Sequence, residues 1–97
     1  MEPINAREGG TIQITVHLST FGSYETRPKI EWYHHGQLIV PDNQHYRITE
    51  DHDTATLEII NVTKFDTGQV WCTATTSSGT ATTTCSITVE GKDEIDL

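Results

Sequence analysis

Apolar and polar side chains alternate without exception from residue 11 to residue 18. Ile12, Ile14, Val16 and Leu18 occupy one set of positions, and threonine, glutamine and histidine side chains occupy the other. A period of two is typical of a β-strand that is buried on one face and solvated on the other. The pattern therefore predicts a half-buried strand at residues 11–18.

The rest of the chain repeats this pattern in short segments. The other segments predicted as strands are residues 3–6, 29–34, 37–40, 45–50, 55–60, 70–75 and 80–89. Clusters of Gly, Pro, Asn, Asp and Ser separate them, and no segment shows a helical period. Many short strands with turn signals between them are typical of a β-sandwich. We therefore expect an all-β chain of seven to nine strands.

One turn and the hairpin after it organise the second half of the sequence. Asp66 and Gly68 flank a turn, because Asp bonds its own local backbone and Gly tolerates a positive φ. In the strand that follows, Cys72 shares a face with Val70, and Trp71 lies on the opposite face. The pattern of this strand therefore predicts a buried Cys72 and an outward Trp71.

Composition narrows the classes of function. The chain has 97 residues, enough for one domain, and a formal net charge of −8 from 6 basic and 14 acidic residues. This balance disfavours nucleic-acid binding, which needs clustered Lys and Arg, and no apolar run approaches the ~20 residues of a membrane span. We expect no nucleic-acid partner and no membrane association.

Candidate chemistry is sparse. The histidines are His17, His34, His35, His45 and His52. They have no metal-ligand spacing, and as neighbours in a strand His34 and His35 should face opposite sides. No phosphate-binding loop or catalytic set can be identified. We therefore expect no enzyme activity, metal, cofactor or small-molecule substrate.

Four sequence fragments, taken together, resemble a known family. They are Glu8-Gly9, Trp32-Tyr33 with Gly36, Leu57-x-Ile59-x-Asn61-Val62, and Asp66-x-Gly68-x-x-x-Cys72. In this order and spacing they look like an intermediate-set (I-set) immunoglobulin domain, as in the giant muscle proteins titin, twitchin and obscurin and their invertebrate relatives. The resemblance implies an immunoglobulin-like Greek-key β-sandwich of two antiparallel sheets over residues 2–90, with residues 91–97 as an acidic linker or tail.

The resemblance also implies a core and a cellular context. Trp32 is expected to pack against Val16 and Cys72, with Leu57 and Ile59 beside them. Val16 stands where such domains usually have the first cysteine of an inter-sheet disulfide, so that bond cannot form. A domain in an oxidising compartment would have reason to keep the bond. We therefore favour a cytoplasmic, sarcomeric or cytoskeletal giant protein over the alternative, the ectodomain of an adhesion or signalling receptor.

The second cysteine leaves two possibilities open. If Thr75 faces Thr80 across the turn, then Val70 faces Cys85 and Cys72 is the diagonal neighbour of Cys85. Diagonal Cα atoms lie ~7–8 Å apart, whereas a disulfide needs ~4.4–6.8 Å. We expect two buried thiols and no disulfide. A redox clip between the two strands, closed by a bulge, is the alternative.

Aromatic residues suggest where a protein partner would bind. Trp71 and Tyr33 are expected on the outer face of one sheet, and Phe21 and Tyr24 lie on a long polar loop. Trp and Tyr are enriched at binding hot spots, and loops often carry function. The alternatives are that Trp71 covers neighbouring side chains and that a loop ring caps the core. The expected partners are neighbouring immunoglobulin or fibronectin-type domains and cytoskeletal proteins.

Overall fold

The computed structural model describes residues 3–21, 28–77 and 79–91. Its strands in chain order are β1 (Ile4–Arg7), β2 (Ile12–His17), β3 (Lys29–His34), β4 (Gln37–Leu38), β5 (Tyr46–Glu50), β6 (Thr54–Ile59), β7 (Gly68–Thr76) and β8 (Gly79–Glu90). Short 3₁₀ helices at Leu18–Phe21 and Lys64–Asp66 follow β2 and precede β7. The all-β class expected from the sequence is confirmed.

The strands form two sheets. One has the order β1-β8-β7-β3-β4 and the other the order β2-β6-β5. The backbone crosses from one sheet to the other after β1, β2, β4 and β6. Alternate residues of β2 and β6 point into the space between the sheets. This arrangement is the two-sheet sandwich that the alternating pattern indicated.

Three local expectations need correction. A strand at 37–40 was expected, but the paired strand is only Gln37–Leu38. One further hydrogen bond joins the Ile39 N–H to the Trp32 carbonyl, and the ladder then ends because Pro41 has no N–H. Leu18 begins a 3₁₀ helix instead of ending β2. The sheets are antiparallel except where β1 runs parallel to β8.

The core lies between the sheets around Trp32. The five residues expected there, Val16, Trp32, Leu57, Ile59 and Cys72, are each at most 5% exposed and belong to one cluster. Trp32 and Cys72 are directly opposed on neighbouring strands. The Trp32 indole N–H is buried and meets no hydrogen-bond partner in the described part of the chain, so Trp32 stabilises the core through packing alone.

Replacing Trp32 by Ala should destabilise the domain by about 3–5 kcal/mol, because it removes the largest fully buried side chain. That is a large part of the ~5–15 kcal/mol typical of a domain. Trp32→Phe, which removes the unpartnered N–H and keeps an aromatic ring, is the matched control and should cost less. Urea denaturation measures both, and an almost unchanged midpoint for Trp32→Ala would disprove this account of the core.

Candidate functional site

An apolar row crosses the outer face of the five-stranded sheet. Leu38, Tyr33, Trp71 and Thr84 are consecutive cross-strand partners on β4, β3, β7 and β8. The Tyr33 and Trp71 rings stack with their centroids 5.7 Å apart and an interplanar angle of 14°. We call Leu38, Tyr33 and Trp71 the aromatic row. Tyr33 and Trp71 thus lie on the outer face of one sheet, as expected, and Leu38 lies next to Tyr33.

The β3–β4 turn places Leu38 in this row. His35 and Gly36 have φ values of 56° and 78°, and two consecutive positive φ angles are typical of a two-residue type I′ hairpin turn. Such a turn fixes the register, so that His34 faces Gln37 and Tyr33 faces Leu38. Leu38 was not predicted in this row, because its position depends on the pairing across the His35-Gly36 turn.

The aromatic row is partly open to solvent. Leu38 is 50% exposed, and Tyr33 and Trp71 are half-buried. Trp71 was expected on the outer face; it lies there, and stacking on Tyr33 covers part of its ring. Rigid aromatic area of this kind, partly covered on one side, is suited to anchoring a protein partner.

The second predicted surface is the loop that carries Phe21 and Tyr24. The side chain of Phe21 and the whole of Tyr24 fall outside the described residues. Two exposed side chains that the sequence analysis did not single out are Phe65, 89% exposed, and Val40, 72% exposed. Phe65 lies at the end of the sandwich that carries the β3–β4 turn, where its carbonyl accepts from His35.

Histidines at that end of the molecule form a buried polar cluster that the sequence analysis did not anticipate. His34 is 4% exposed; its Nε2–H donates to the Asp66 carbonyl at 2.9 Å, and its Nδ1 accepts from the Tyr46 hydroxyl at 2.7 Å. These roles follow because a carbonyl can only accept. The cluster ties β3 and β5, from opposite sheets, to the segment that precedes β7.

The expectation that His34 and His35 point to opposite faces is wrong. Their rings stack with centroids 4.0 Å apart. The strand ends at His34, and the positive φ of His35 turns its ring back over its neighbour. His35 Nε2–H then donates to the Phe65 carbonyl at 2.9 Å. Gly68 has a φ of 149°, and an added Cβ would lie 2.8 Å from the His35 ring, so a larger residue would strain the backbone and displace the ring.

Asp66 is the acidic centre of this cluster and is 6% exposed. Its Oδ2 accepts the main-chain N–H of Thr63 at 2.8 Å, and its Oδ1 lies 2.9 Å from His45 Nε2. The Nδ1 of His45 lies 2.8 Å from the Ile60 carbonyl. Both His45 nitrogens therefore face acceptors, and the His45 ring links the Ile60 carbonyl to the Asp66 carboxyl group.

Asp42 holds His45 in place. The Asp42 Oδ1 accepts the main-chain N–H groups of His45, Gln44 and Tyr46 at 2.8, 2.9 and 3.1 Å. These hydrogen bonds, that of His45 foremost, lower the pKa of the Asp42 carboxyl to about 2. The Asp42 loop fixes the start of β5 and thus positions His45 opposite Asp66.

A family model, the immunoglobulin I-set domain, matches residues 1–89. The chain belongs to the immunoglobulin I-set family. The I-set resemblance drawn from the sequence is thereby confirmed. I-set domains are structural or binding modules, and their fold is generally non-catalytic.

Proteins similar to this I-set domain come from different settings. Titin of Drosophila melanogaster is 28% identical over 92 residues, 95% of the chain. Nexilin of Homo sapiens and contactin-4 of Rattus norvegicus are 32% and 38% identical over 69 residues, 71% of the chain. The domain spans only 10% of nexilin, 6% of contactin-4 and a share of titin that rounds to 0%.

A solved I-band fragment of titin has the same architecture. It superposes with a TM-score of 0.83 at 26% sequence identity, covering 93% of this chain and 30% of the fragment. The immunoglobulin-like sandwich is thereby established for this chain.

The described ranges contain neither a cluster of possible metal ligands nor a membrane-spanning helix. Within residues 3–21, 28–77 and 79–91, no group of three or more His, Cys, Asp or Glu side chains is arranged to hold a metal ion. In the same ranges, no helix is long and apolar enough to cross a membrane.

The two cysteines of this I-set domain are buried thiols. Val70 faces Cys85 and Thr75 faces Thr80, so Cys72 and Cys85 are diagonal neighbours, as the hairpin register indicated. Burial, and secondarily the charge of Glu50, raises the pKa of Cys72 to about 12. Burial also raises the pKa of Cys85. Protonated buried thiols are weak nucleophiles.

Lowering the pH from 7.5 to 5.5 should destabilise the domain through His34. Burial is the largest effect and lowers the pKa of His34. The hydrogen bond to the Asp66 carbonyl opposes this, and the neighbouring His35 and His45 lower the pKa further. The Tyr46 hydroxyl also contacts the His34 ring. The unfolded chain therefore binds a proton near pH 6.5 that the folded chain binds only at lower pH. The contribution of neutral His34 to the free energy of unfolding is therefore fully present above about pH 6.5 and is lost as the pH falls through the lowered pKa of the folded state.

The test compares variants across this pH range by urea denaturation. His34→Gln should flatten the dependence of the unfolding free energy on pH. The exposed His17 is the matched control, and His17→Gln should leave the slope as in the wild type. Equal slopes for His34→Gln and the wild type would contradict the assignment.

Reducing agent should leave the melting temperature unchanged, because Cys72 and Cys85 are thiols. A Cys85→Ala variant, which cannot form the bond, should show the same insensitivity to reductant. A drop of several degrees on reduction, together with a cross-linked Cys72–Cys85 peptide in mass analysis, would show instead that the hairpin carries a disulfide.

Proposed function

We propose that this I-set domain is a non-catalytic structural and protein-binding module of a sarcomeric or cytoskeletal multi-domain protein, and that its partner surface is centred on the aromatic row. The observation that supports this most directly is the stacked, half-buried pair of Tyr33 and Trp71 beside the half-exposed Leu38. Interface cores are enriched in Tyr and Trp and depleted in charge.

The opposite sheet offers a contrasting surface. Its outer face carries Gln13, Thr15, Thr56 and Glu58, which pair with one another through side-chain hydrogen bonds. Arg47 adds an ion pair with Glu58 at 3.1 Å. This face has no aromatic anchor, and its polar groups already have partners. It is therefore less suited to a hot spot than the aromatic row.

The proposed setting is the cytoplasm. Val16 and Cys72 lie on different sheets and are both buried in the core, so Cys72 has no cysteine opposite it with which to form an inter-sheet disulfide. The lack of this bond is no disadvantage in a reducing compartment such as the cytoplasm. The similarity to titin and nexilin supports the same setting. The partners proposed are neighbouring immunoglobulin or fibronectin-type domains of the same chain and cytoskeletal proteins.

The similarity to contactin-4 favours the alternative, an ectodomain of a cell-surface adhesion or signalling receptor. An antibody against this domain separates the two settings. Staining only after cells are permeabilised supports the cytoplasmic proposal, and staining of intact cells supports the receptor.

Trp71→Ala should weaken binding of a purified partner, first found by pull-down, by at least tenfold, the loss expected for a hot spot worth about 2 kcal/mol or more. Calorimetric titration measures the affinity. Thr15→Ala, on the outer face of the other sheet, is the matched control and should bind as the wild type does. Thermal melts establish that both variants are folded.

Phe21→Ala tests the loop as a second partner surface. Loss of binding in this variant, with Trp71→Ala unaffected, would move the site from the aromatic row to the loop. Loss of binding in Thr15→Ala, with both aromatic variants folded and binding normally, would show that the proposed surface is wrong.

A further inference from the structure

One edge of the five-stranded sheet is only partly covered. Strand β8 runs from Gly79 to Glu90 and pairs with β7 on one side along most of its length. On its other side it pairs with β1 only from Ile87 to Glu90. The first two-thirds of β8 is therefore an edge strand in the described structure.

Two hydrogen bonds show which main-chain groups face that edge. The Glu90 carbonyl accepts from the Glu8 N–H at 3.0 Å, on the β1 side, whereas the Val89 N–H donates to the Thr67 hydroxyl at 2.9 Å, on the β7 side. Main-chain groups alternate in direction along a strand. The N–H and C=O groups of Thr80, Thr82 and Thr84 thus point away from β7, beyond the part of β8 that β1 covers.

Among the described residues, this edge carries none of the usual protection against pairing. Natural edge strands carry Lys, Pro, bulges or inward charges that discourage another strand from adding. Residues 67–89 contain no Asp, Glu, Lys, Arg or Pro, and β7 and β8 pair without interruption from Gly68–Ile87 to Thr76–Gly79. The chain's net charge of −8 thus arises entirely outside this hairpin.

We propose that a second copy of this chain pairs with this edge, antiparallel and about a two-fold axis through Thr82. Thr82 then faces Thr82 of the partner subunit, and Thr80 faces Thr84 of the partner subunit. The three open residues of each copy form three hydrogen-bonded pairs, which extend the two five-stranded sheets into one continuous sheet. The proposal does not depend on the aromatic row, which lies on the sheet face and not at its edge.

Charge and side-chain chemistry favour a second copy as the occupant. Two acidic domains can approach each other where neither is charged, and the hairpin is that region. The register also places threonine opposite threonine. Threonine already faces threonine on neighbouring strands of the described structure, and in two of these pairs the hydroxyls are hydrogen-bonded, Thr15 with Thr56 at 3.1 Å and Thr75 with Thr80 at 3.2 Å. Such pairs stabilise neighbouring strands.

The proposal predicts weak self-association of the 97-residue chain. Three residue pairs bury less than the ~800 Å² per partner of a standard interface, so sedimentation equilibrium should show the mean mass rising toward a dimer only over about 10 µM to 1 mM. Amide exchange at the two ends of this range should show slowing at Thr80, Thr82 and Thr84. The amide of Thr83, which points toward β7, should be protected at both concentrations.

Thr82→Lys places two like charges opposite each other at the axis and should weaken association at least tenfold. Thr88→Lys is the matched control: it has the same strand, face and substitution, but β1 covers that part of the edge. It should associate as the wild type does. The proposal is overturned if the chain stays monomeric over this whole concentration range. It is also overturned if the two lysine variants weaken the dimer equally, or if neither does. A dimer that only Trp71→Ala disrupts would overturn it as well.

Discussion

The carboxylate of Asp66 is the interaction on which the arrangement of the other elements depends. It is buried, caps the 3₁₀ helix through the Thr63 N–H and pairs with His45 at the start of β5. The carbonyl of the same residue accepts from His34 at the end of β3. One residue thus joins both sheets to the segment that leads into β7. A buried charge is costly unless it is paired and hydrogen-bonded, and Asp66 satisfies both conditions.

This anchoring links the interior to the proposed partner surface. His34 is fixed by Asp66 and Tyr46, and Tyr33, the preceding residue, carries the aromatic row on the opposite face of the same strand. The type I′ turn after His34 then places Leu38 beside Tyr33. Trp32, one residue earlier, fills the core. Three consecutive residues of β3 therefore contribute to the core, to the proposed partner surface and to the Asp66 cluster.

Much of this could be predicted from the sequence because strand patterns are local. Strict alternation predicted β2, and the hairpin register predicted that Cys72 and Cys85 are diagonal neighbours. Alternation also assigned Tyr33 and Trp71 to the outer face of one sheet, where the structure shows their rings stacked. In each case a period of two and a turn suffice to place the side chain.

The histidine cluster could not be predicted in the same way. The stacking of His34 on His35 depends on a positive φ at His35, and alternation assumes an extended backbone there. The burial of His34 depends on partners 12 and 32 residues away in the sequence. The exposure of Phe65 follows from the 3₁₀ helix that turns Asp66 inward and leaves its neighbour outside. These are tertiary consequences that a local pattern does not encode.

On this account, the pairing of Asp66 with His45 holds the 3₁₀ helix before β7 against the three-stranded sheet. A double-mutant cycle with Asp66→Asn, His45→Gln and the double variant, followed by urea denaturation at pH 6, measures this coupling most directly. Removing one partner of a buried pair costs about 3–5 kcal/mol, and the partial exposure of His45 places the expected cost near the lower end. We predict that the double variant is destabilised by less than the sum of the single variants, with a coupling of about 1–3 kcal/mol. Additive single effects would contradict the claim.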